Sequence, residues 1–441
     1  MSKSDLNLEF YTMLIEFSVS NFRSFSEQQT LSMVASSLKE NCDMQVFTPS
    51  QSPSLSKLSL LKEAVIYGAN ASGKTNVVLA MLSMKRIVKG SAKYQRGDAL
   101  PVTAFKLDER LLKSPSEFEV IFISDGVRYQ YGFSATSEKI HDEWLYAYPK
   151  NRAQLWFSRV WNKDENTHEW KFGTAFSGNK KVWLEATREN ALFLSTAVQL
   201  NNEQLRPVFD WFKERLHFIG TGGLSVEYTA DFCKKEGSQE VLRFLKQADL
   251  GIENIRIEEE KFDPSSLPLD MPEALRGMFI DEIGDKPILE VKTQHKGKDD
   301  KLVEFSLSEE SEGTKKLFSF AAPWIEVLEK GAILFVDELN DNLHPNLVKF
   351  LIELFHNPRT NPNNAQLIFT THETSVLSQS IFRRDQIWFC EKSQYGESEL
   401  YPLTDFHPRK GRENLEVSYL GGRYGAIPYP DFLEDGNSYG N

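Results

Sequence analysis

The eight residues Gly68-Ala69-Asn70-Ala71-Ser72-Gly73-Lys74-Thr75 constrain the fold more than any other stretch of this chain. They match GxxxxGK[ST]. The apolar run of "EAVIYG" precedes them, and "KTNVVLAMLSMKRIV" follows with apolar residues at helical spacing. A strand, a glycine-rich turn and a helix in that order make a phosphate cradle. The glycines let successive backbone N–H groups curl round the β- and γ-phosphates, and the helix N-terminus adds positive potential. Asn70 and Gly73 belong to the turn, Lys74 would neutralise phosphate charge, and the Thr75 hydroxyl would ligate Mg²⁺. ATP and Mg²⁺ are the expected cofactors.

The end of the chain supplies the partners such a loop needs. "AILFVDEL" and "AQLIFTTHE" read as buried strands, "NLVKFLIELF" as a helix and "DQIWFCEK" as a further strand. Strands alternating with helices predict a mostly parallel α/β sheet with its ligand site at the strand C-terminal ends. Asp337 and Glu338 fall at one such tip. Asp337 can hold Mg²⁺ through water, and Glu338 can polarise the attacking water. His372, at the tip of the next strand, can reach a γ-phosphate; a lone histidine there is more often structural. Upstream, "LSEESEGTKKLF" places Ser311 to Thr314 at a helix start, an anion site or, taken alone, an ordinary cap.

The remaining sequence is less specific. Leu14 to Val19 alternates as a strand, and "FEVIFISDGVRYQYGF" reads as a hairpin about Asp125-Gly126, with more strand near Trp144 and Trp156. Between about 180 and 290 the pattern is mostly helical, interrupted at Pro207, with a loop marked by Pro264, Pro268 and Pro272. The 441 residues suit two or three domains, or one core with a large insertion. A net charge of −12 argues against a nucleic-acid field over the whole protein but leaves room for local basic patches, such as "KGSAKYQRG" and "YPKNRAQLWFSR". Cys42, Cys233 and Cys390 form no CxxC, which fits a reducing cytoplasm and supplies no metal framework. No run is apolar enough to span a bilayer, so a cytoplasmic location without a membrane partner is expected. Residues 1–12 read as a frayed extension or a product of start-site choice.

Taken together, these elements resemble the ABC-type ATPase heads of the SMC, RecF and OLD lineage, over roughly residues 13–135 and 300–400. More closely they resemble the stand-alone RloA-like ATPases of bacteria. The matching stretches are "NFRSF", "GANASGKTN", "SEGTKKLF", "VDELNDNLHP", "FTTHE", "DQIWFCEK" and "YLGGRYGAIP". The resemblance implies an ABC-type P-loop head, with a mixed or parallel sheet, an antiparallel β part and a helical insertion. The N-terminal lobe would span 13–135, the insertion 136–300, and the C-terminal lobe 301–441. It further implies that Ser311 and Gly313 contact the γ-phosphate of a partner subunit's ATP, with Glu312 where a glycine is usual. Asn342 to His344 would form the D-loop, Arg23 would lie near the nucleotide, and His372 would be the switch histidine. The Q-loop is not legible, Gln130 being one candidate.

In function, the resemblance implies an ATP-binding and ATP-hydrolysing protein that dimerises or oligomerises with itself around ATP. It would control a separately encoded Toprim- or RNase-like nuclease effector in antiphage abortive-infection defence, with a phage protein as trigger. About 70 residues follow His372, too few for a nuclease domain of usual size, and they carry no ExxxDxD pattern. A RecF- or SMC-like DNA-bound repair ATPase is the alternative. A nucleotide-gated scaffold with little turnover is a third reading.

Overall fold

The computed structural model describes residues 12–40, 42–49, 57–150, 152–220, 223–260, 271–273, 275–277 and 288–428. The expected loop prolines Pro264 and Pro268 lie outside them. The chain divides into two compact units. One comprises Met1–Phe218, Leu328–Asn340 and Leu351–Asn441; the other comprises Ile219–Val327 and Asp341–Phe350.

Among its described residues the first unit holds two large sheets and a two-stranded one, Val46–Phe47 with Leu60–Leu61. In the seven-stranded antiparallel sheet the order is Thr167–Phe172, Gln154–Asn162, Ile140–Tyr148, Val127–Ala135, Ser116–Ser124, Met13–Ser20 and Gln29–Ser32. Alternation decides which face is buried. Phe118, Val120 and Phe122 on one strand and Tyr131 and Phe133 on the next all sit in the core. The hairpin between them turns at Asp125 and Gly126, with φ of 50° and 73°. Two successive positive φ values suit an Asp-Gly pair and match the right-handed strand twist. The strands near Trp144 and Trp156 therefore extend the N-terminal sheet.

The six-stranded sheet runs Leu216–Ile219, Ile333–Val336, Gln366–Thr370, Glu63–Tyr67, Ile387–Lys392 and Ser398–Pro402. Ile333–Val336, Gln366–Thr370, Glu63–Tyr67 and Ile387–Lys392 pair in parallel, and Ser398–Pro402 returns antiparallel. The fold class is the expected one: α/β, with a mixed P-loop sheet beside an antiparallel one. Both sheets and the helix Lys74–Gly90 share one apolar core, which includes Phe122, Phe133, Ile66, Met81, Met84, Phe335 and Ile368.

The interruption expected at Pro207 falls just before it, where the helix Phe193–Gln199 has ended and the next has begun. Pro207 lies in the first turn of the helix Arg206–Asp210. The missing N–H costs nothing there, because the first turn has no intrahelical acceptor for it.

The second unit pairs a three-stranded antiparallel sheet, Ile252–Glu260, Ile288–Lys296 and Leu302–Ser306, with the helices Val226–Phe232 and Ser238–Gln247. Gly251, at φ 67°, makes the break between helix and strand. No described helix is long and apolar enough to cross a membrane.

Candidate nucleotide site

Strand Glu63–Tyr67 is wholly buried and delivers the chain into the glycine-rich turn. Gly73 has φ 113°, and a Cβ there would run into the hydroxyls of Ser398 and Ser24. Only glycine suits that backbone, and a larger residue would displace the loop. The helix Lys74–Gly90 starts at once. The loop is backed by hydroxyls. Ser398 bonds the Ser72 carbonyl at 2.5 Å and the Ser24 hydroxyl at 2.8 Å, and the Asn76 amide donates to Ser24 at 2.7 Å.

Lys74 is 4% exposed. Its Nζ donates to the carbonyls of Gly68 at 2.9 Å and Ala69 at 3.1 Å, so the ammonium lies over the turn. Burial pushes its pKa down, opposed first by Glu338 and then by Cys390 and Asp337. A phosphate brought there would restore the balance in favour of the cation.

The strand Ile333–Val336 is four buried apolar residues, and Asp337 and Glu338 follow directly. Asp337 is 4% exposed, and its Oδ1 accepts the Thr75 hydroxyl at 3.2 Å and the Thr370 hydroxyl at 2.7 Å. A hydroxyl and a carboxylate side by side are the oxygen donors that Mg²⁺ takes from protein when phosphates and water complete its shell. No cluster of three or more His, Cys, Asp or Glu fit for a metal occurs among the described residues.

Glu338 adopts φ 57°. A glutamate held in left-handed backbone is uncommon, and such strain gathers at functional positions. Its N–H donates to the Thr370 hydroxyl at 2.9 Å, which fixes the turn. Its Oε2 meets His372 Nδ1 at 2.8 Å. Asn340 contacts the other ring nitrogen, Nε2, at 3.1 Å. His372 is 56% exposed, so this pair opens to solvent while Asp337 and Lys74 stay covered.

In the first unit, then, Lys74, Thr75, Asp337, Glu338 and His372 converge at the C-terminal ends of three adjacent parallel strands. Asn70 is exposed on the turn. Arg23 is exposed, at φ 55°, with its backbone N–H on the Thr103 carbonyl at 2.8 Å; its neighbour Ser24 is the residue that touches the loop. Gln130 has both ends of its amide engaged within the antiparallel sheet, by Glu119 at 3.0 Å and Tyr148 at 2.8 Å.

The second unit carries Ser311, Gly313 and Asn342. Ser311 caps the helix Glu312–Lys330: its Oγ accepts the Thr314 N–H at 3.1 Å and meets the Thr314 hydroxyl at 2.8 Å. Ser311 and Glu312 are exposed, and Glu312 pairs with Lys315 at 2.9 Å. A Cβ on Gly313 would come to 3.1 Å from the Asn342 carbonyl, so a small residue suits that close approach. Asn342 is exposed at φ 54°. The cap is real, and it leaves the serine on the surface.

A family model described as "AAA domain, putative AbiEii toxin, Type IV TA system" matches residues 64–378, from the strand before the glycine-rich turn to just beyond His372. The chain belongs to this AAA-domain family. It is also similar to the SMC head domain from Thermotoga maritima, at 12% identity over 88% of this chain and 98% of that one, with a TM-score of 0.38. A second similar structure is the recombination mediator protein RecF with ATP in the RecFOR pathway, at 14% identity over 89% and 99%, with a TM-score of 0.35. No match was found among curated proteins.

Several residues around the site of this AAA-domain chain carry no motif signal. Ser24 and Ser398 lie 374 positions apart yet share a hydrogen bond under the loop. Thr370 and Asn340 act through hydroxyl and amide groups that are ordinary in any strand end or loop. The tail "YLGGRYGAIP" is a packing element. Tyr419 and Tyr424 stack on Phe389 at 5.3 Å and 5.5 Å, and Tyr419 lies 5.9 Å from Tyr67, the last residue before the turn. Glu416 accepts the Thr374 hydroxyl at 2.9 Å, two residues past His372. The stretch "YPKNRAQLWFSR" does not supply the cation expected at its end, because Arg159 is 1% exposed and paired with Glu143.

Proposed function

We propose that this AAA-domain protein binds ATP with Mg²⁺ and hydrolyses it to ADP and phosphate. The observation that carries the reading is the convergence of Lys74, Thr75, Asp337, Glu338 and His372 around one glycine-rich turn. Lys74 and the turn's N–H groups would hold the phosphates. Thr75 and Asp337 would hold Mg²⁺, which supplies charge neutralisation at the β- and γ-phosphates. Glu338 would orient the attacking water and accept its proton, with His372 beside the γ-phosphate. Phosphoryl transfer asks mainly for position and charge, and this is what the five side chains offer.

The second half of the machine is proposed to come from another copy. Ser311 and Gly313 stand on an exposed helix start, where a serine hydroxyl and free N–H groups can meet an anion. ATP bound to one copy would be completed by that surface of the second, so that nucleotide binding closes a homodimer or larger homo-oligomer and hydrolysis opens it. A ligand shifts such an equilibrium by its differential affinity for the closed state. Ser311→Arg is expected to reduce hydrolysis at least tenfold, with ATP affinity by fluorescent-analogue titration staying within about threefold. Turnover at the wild-type rate in that variant would sink the two-copy model.

For the output, we read the chain as a RloA-like ATPase that controls a separately encoded nuclease-type effector in antiphage defence and responds to a phage-derived trigger in the cytoplasm. The family's description names a putative toxin and a type IV toxin–antitoxin system beside the AAA domain, and the defence role is our extension of it. Co-expression with the product of the adjacent gene tests it. Nuclease toxicity that does not change with Lys74→Ala would reject the control role.

A second reading, a DNA-bound repair ATPase, has one observation in its favour. Leu82, Lys85, Arg86, Lys89 and Lys93 recur at helical spacing along and just past the helix Lys74–Gly90, and they line a groove with Tyr94 and Phe218. Lys85 lies 5.6 Å from the Phe218 ring centroid, and burial lowers its pKa to about 8. Arg86, Lys89 and Lys93 form no ion pair among the described residues. On this reading, duplex DNA binds with a steep salt dependence. Replacing Arg86, Lys89 and Lys93 together by Glu would then flatten the log–log slope by about 3, at roughly 0.9 per phosphate contact. Absence of DNA binding in low salt would remove this reading and leave the first.

A further inference from the structure

Asn340, two residues beyond Glu338, is the residue whose chemistry the motifs do not assign. Its Oδ1 accepts the Thr371 hydroxyl at 2.7 Å and the His372 backbone N–H at 3.4 Å. With the oxygen engaged there, the NH₂ half of the amide faces His372 Nε2 at 3.1 Å. An amide nitrogen only donates, so Nε2 must be the accepting nitrogen of the ring. The imidazole proton is then on Nδ1, 2.8 Å from Glu338 Oε2, where a carboxylate requires a donor. One assignment satisfies every contact. The opposite tautomer sets N–H against N–H on one side and a lone pair against a carboxylate oxygen on the other.

We propose that Asn340 is a positioning residue that holds His372 as the Nδ1–H tautomer and, through that proton, fixes the Glu338 carboxylate. Glu338 is then pinned twice. Its backbone is held by Thr370 and its Oε2 by His372, while Oε1 makes no hydrogen bond among the described residues and remains for water. The His372 backbone N–H, which can only donate, keeps the amide from turning over. The catalytic consequence rests on the ATPase reading above; the tautomer does not.

Asn340→Asp isolates the claim. The two side chains have the same shape, and aspartate keeps an oxygen for Thr371 and the His372 N–H. The group facing Nε2, however, changes from donor to acceptor. Long-range ¹H–¹⁵N spectra of the full-length protein at mildly alkaline pH report which ring nitrogen carries the proton, with His372→Asn identifying the signal. In the wild type Nε2 is expected unprotonated. In Asn340→Asp it is expected protonated, and in Asn340→Ala the Nδ1–H form, now held by Glu338 alone, is expected to weaken. Hydrolysis by Asn340→Asp should fall tenfold or more in kcat, with KM for ATP within about threefold, as fits an interaction used in the transition state. A protonated Nε2 in the wild type, an unchanged spectrum in Asn340→Asp, or kcat within twofold of wild type would each overturn the proposal. If the wild type splits no ATP at all, the spectra still decide the role of Asn340, and only the ATPase reading falls.

Discussion

Glu338→Gln is expected to lower steady-state ATP hydrolysis by about a hundredfold or more while ATP still binds. Glutamine keeps the shape and can still meet Thr370 through its backbone, but it cannot accept a proton from water. On the proposed reading the carboxylate it replaces would take that proton, held by its left-handed backbone and by His372 at 2.8 Å. Because Lys74, Thr75 and Asp337 are untouched, the affinity for a fluorescent ATP analogue should stay within about threefold. With release blocked, ATP and Mg²⁺ should drive the variant into particles of twice the subunit mass or more, counted by mass photometry. Hydrolysis at the wild-type rate would show that water is activated elsewhere. An unchanged particle mass with ATP bound would count against nucleotide-bridged association.

Breaking the Glu143–Arg159 pair is expected to cost about 3–5 kcal/mol of stability, the usual range for removing one member of a buried ion pair. The two groups are 0% and 1% exposed and 3.1 Å apart. Burial pushes the Glu143 carboxyl up and the Arg159 guanidinium down, and each opposes the shift of the other. Glu143 also accepts the N–H groups of Phe193 at 2.7 Å and Leu194 at 3.0 Å and the Tyr131 hydroxyl at 3.0 Å, while Arg159 donates to the Ala191 carbonyl at 2.7 Å. The pair thus fastens the start of the helix Phe193–Gln199 to the antiparallel sheet. That helix in turn bonds the P-loop helix, where the Ser195 hydroxyl meets the Val88 carbonyl at 2.6 Å. Arg159→Leu in urea denaturation should show the loss. Adding Glu143→Leu should restore only part of it, because two helix N–H groups and a phenol would then be left without an acceptor. A loss below about 1 kcal/mol in the single variant would mean that the carboxyl simply takes up a proton and keeps its other bonds.

Much of the site was legible in the sequence because its chemistry is local. Gly68 to Thr75 carries strand, turn and helix signals within a few residues of one another, and the acids after "ILFV" announce the end of a buried strand. The Asp125-Gly126 hairpin is local in the same sense. Pro207 marks the break between two helices, and only the structure shows that it opens the second, because the residue that breaks a helix interior is favoured in a first turn. Arg159 looked like part of a surface cluster because its partner lies on a neighbouring strand, at Glu143.

The amino-acid sequence by itself determined the glycine-rich turn between strand and helix, the α/β class and the candidate residues at the strand ends, since each depends on spacing within one segment. Only the tertiary structure decided that Ser398 and Ser24 support the glycine-rich turn, that Asn340 faces His372, and that the strands near Trp144 and Trp156 join the N-terminal sheet. Those pairings join groups far apart in the chain, or turn on which way a side chain points in the fold. A hydroxyl or an amide becomes a specific contact only when folding brings a complementary group within hydrogen-bond reach.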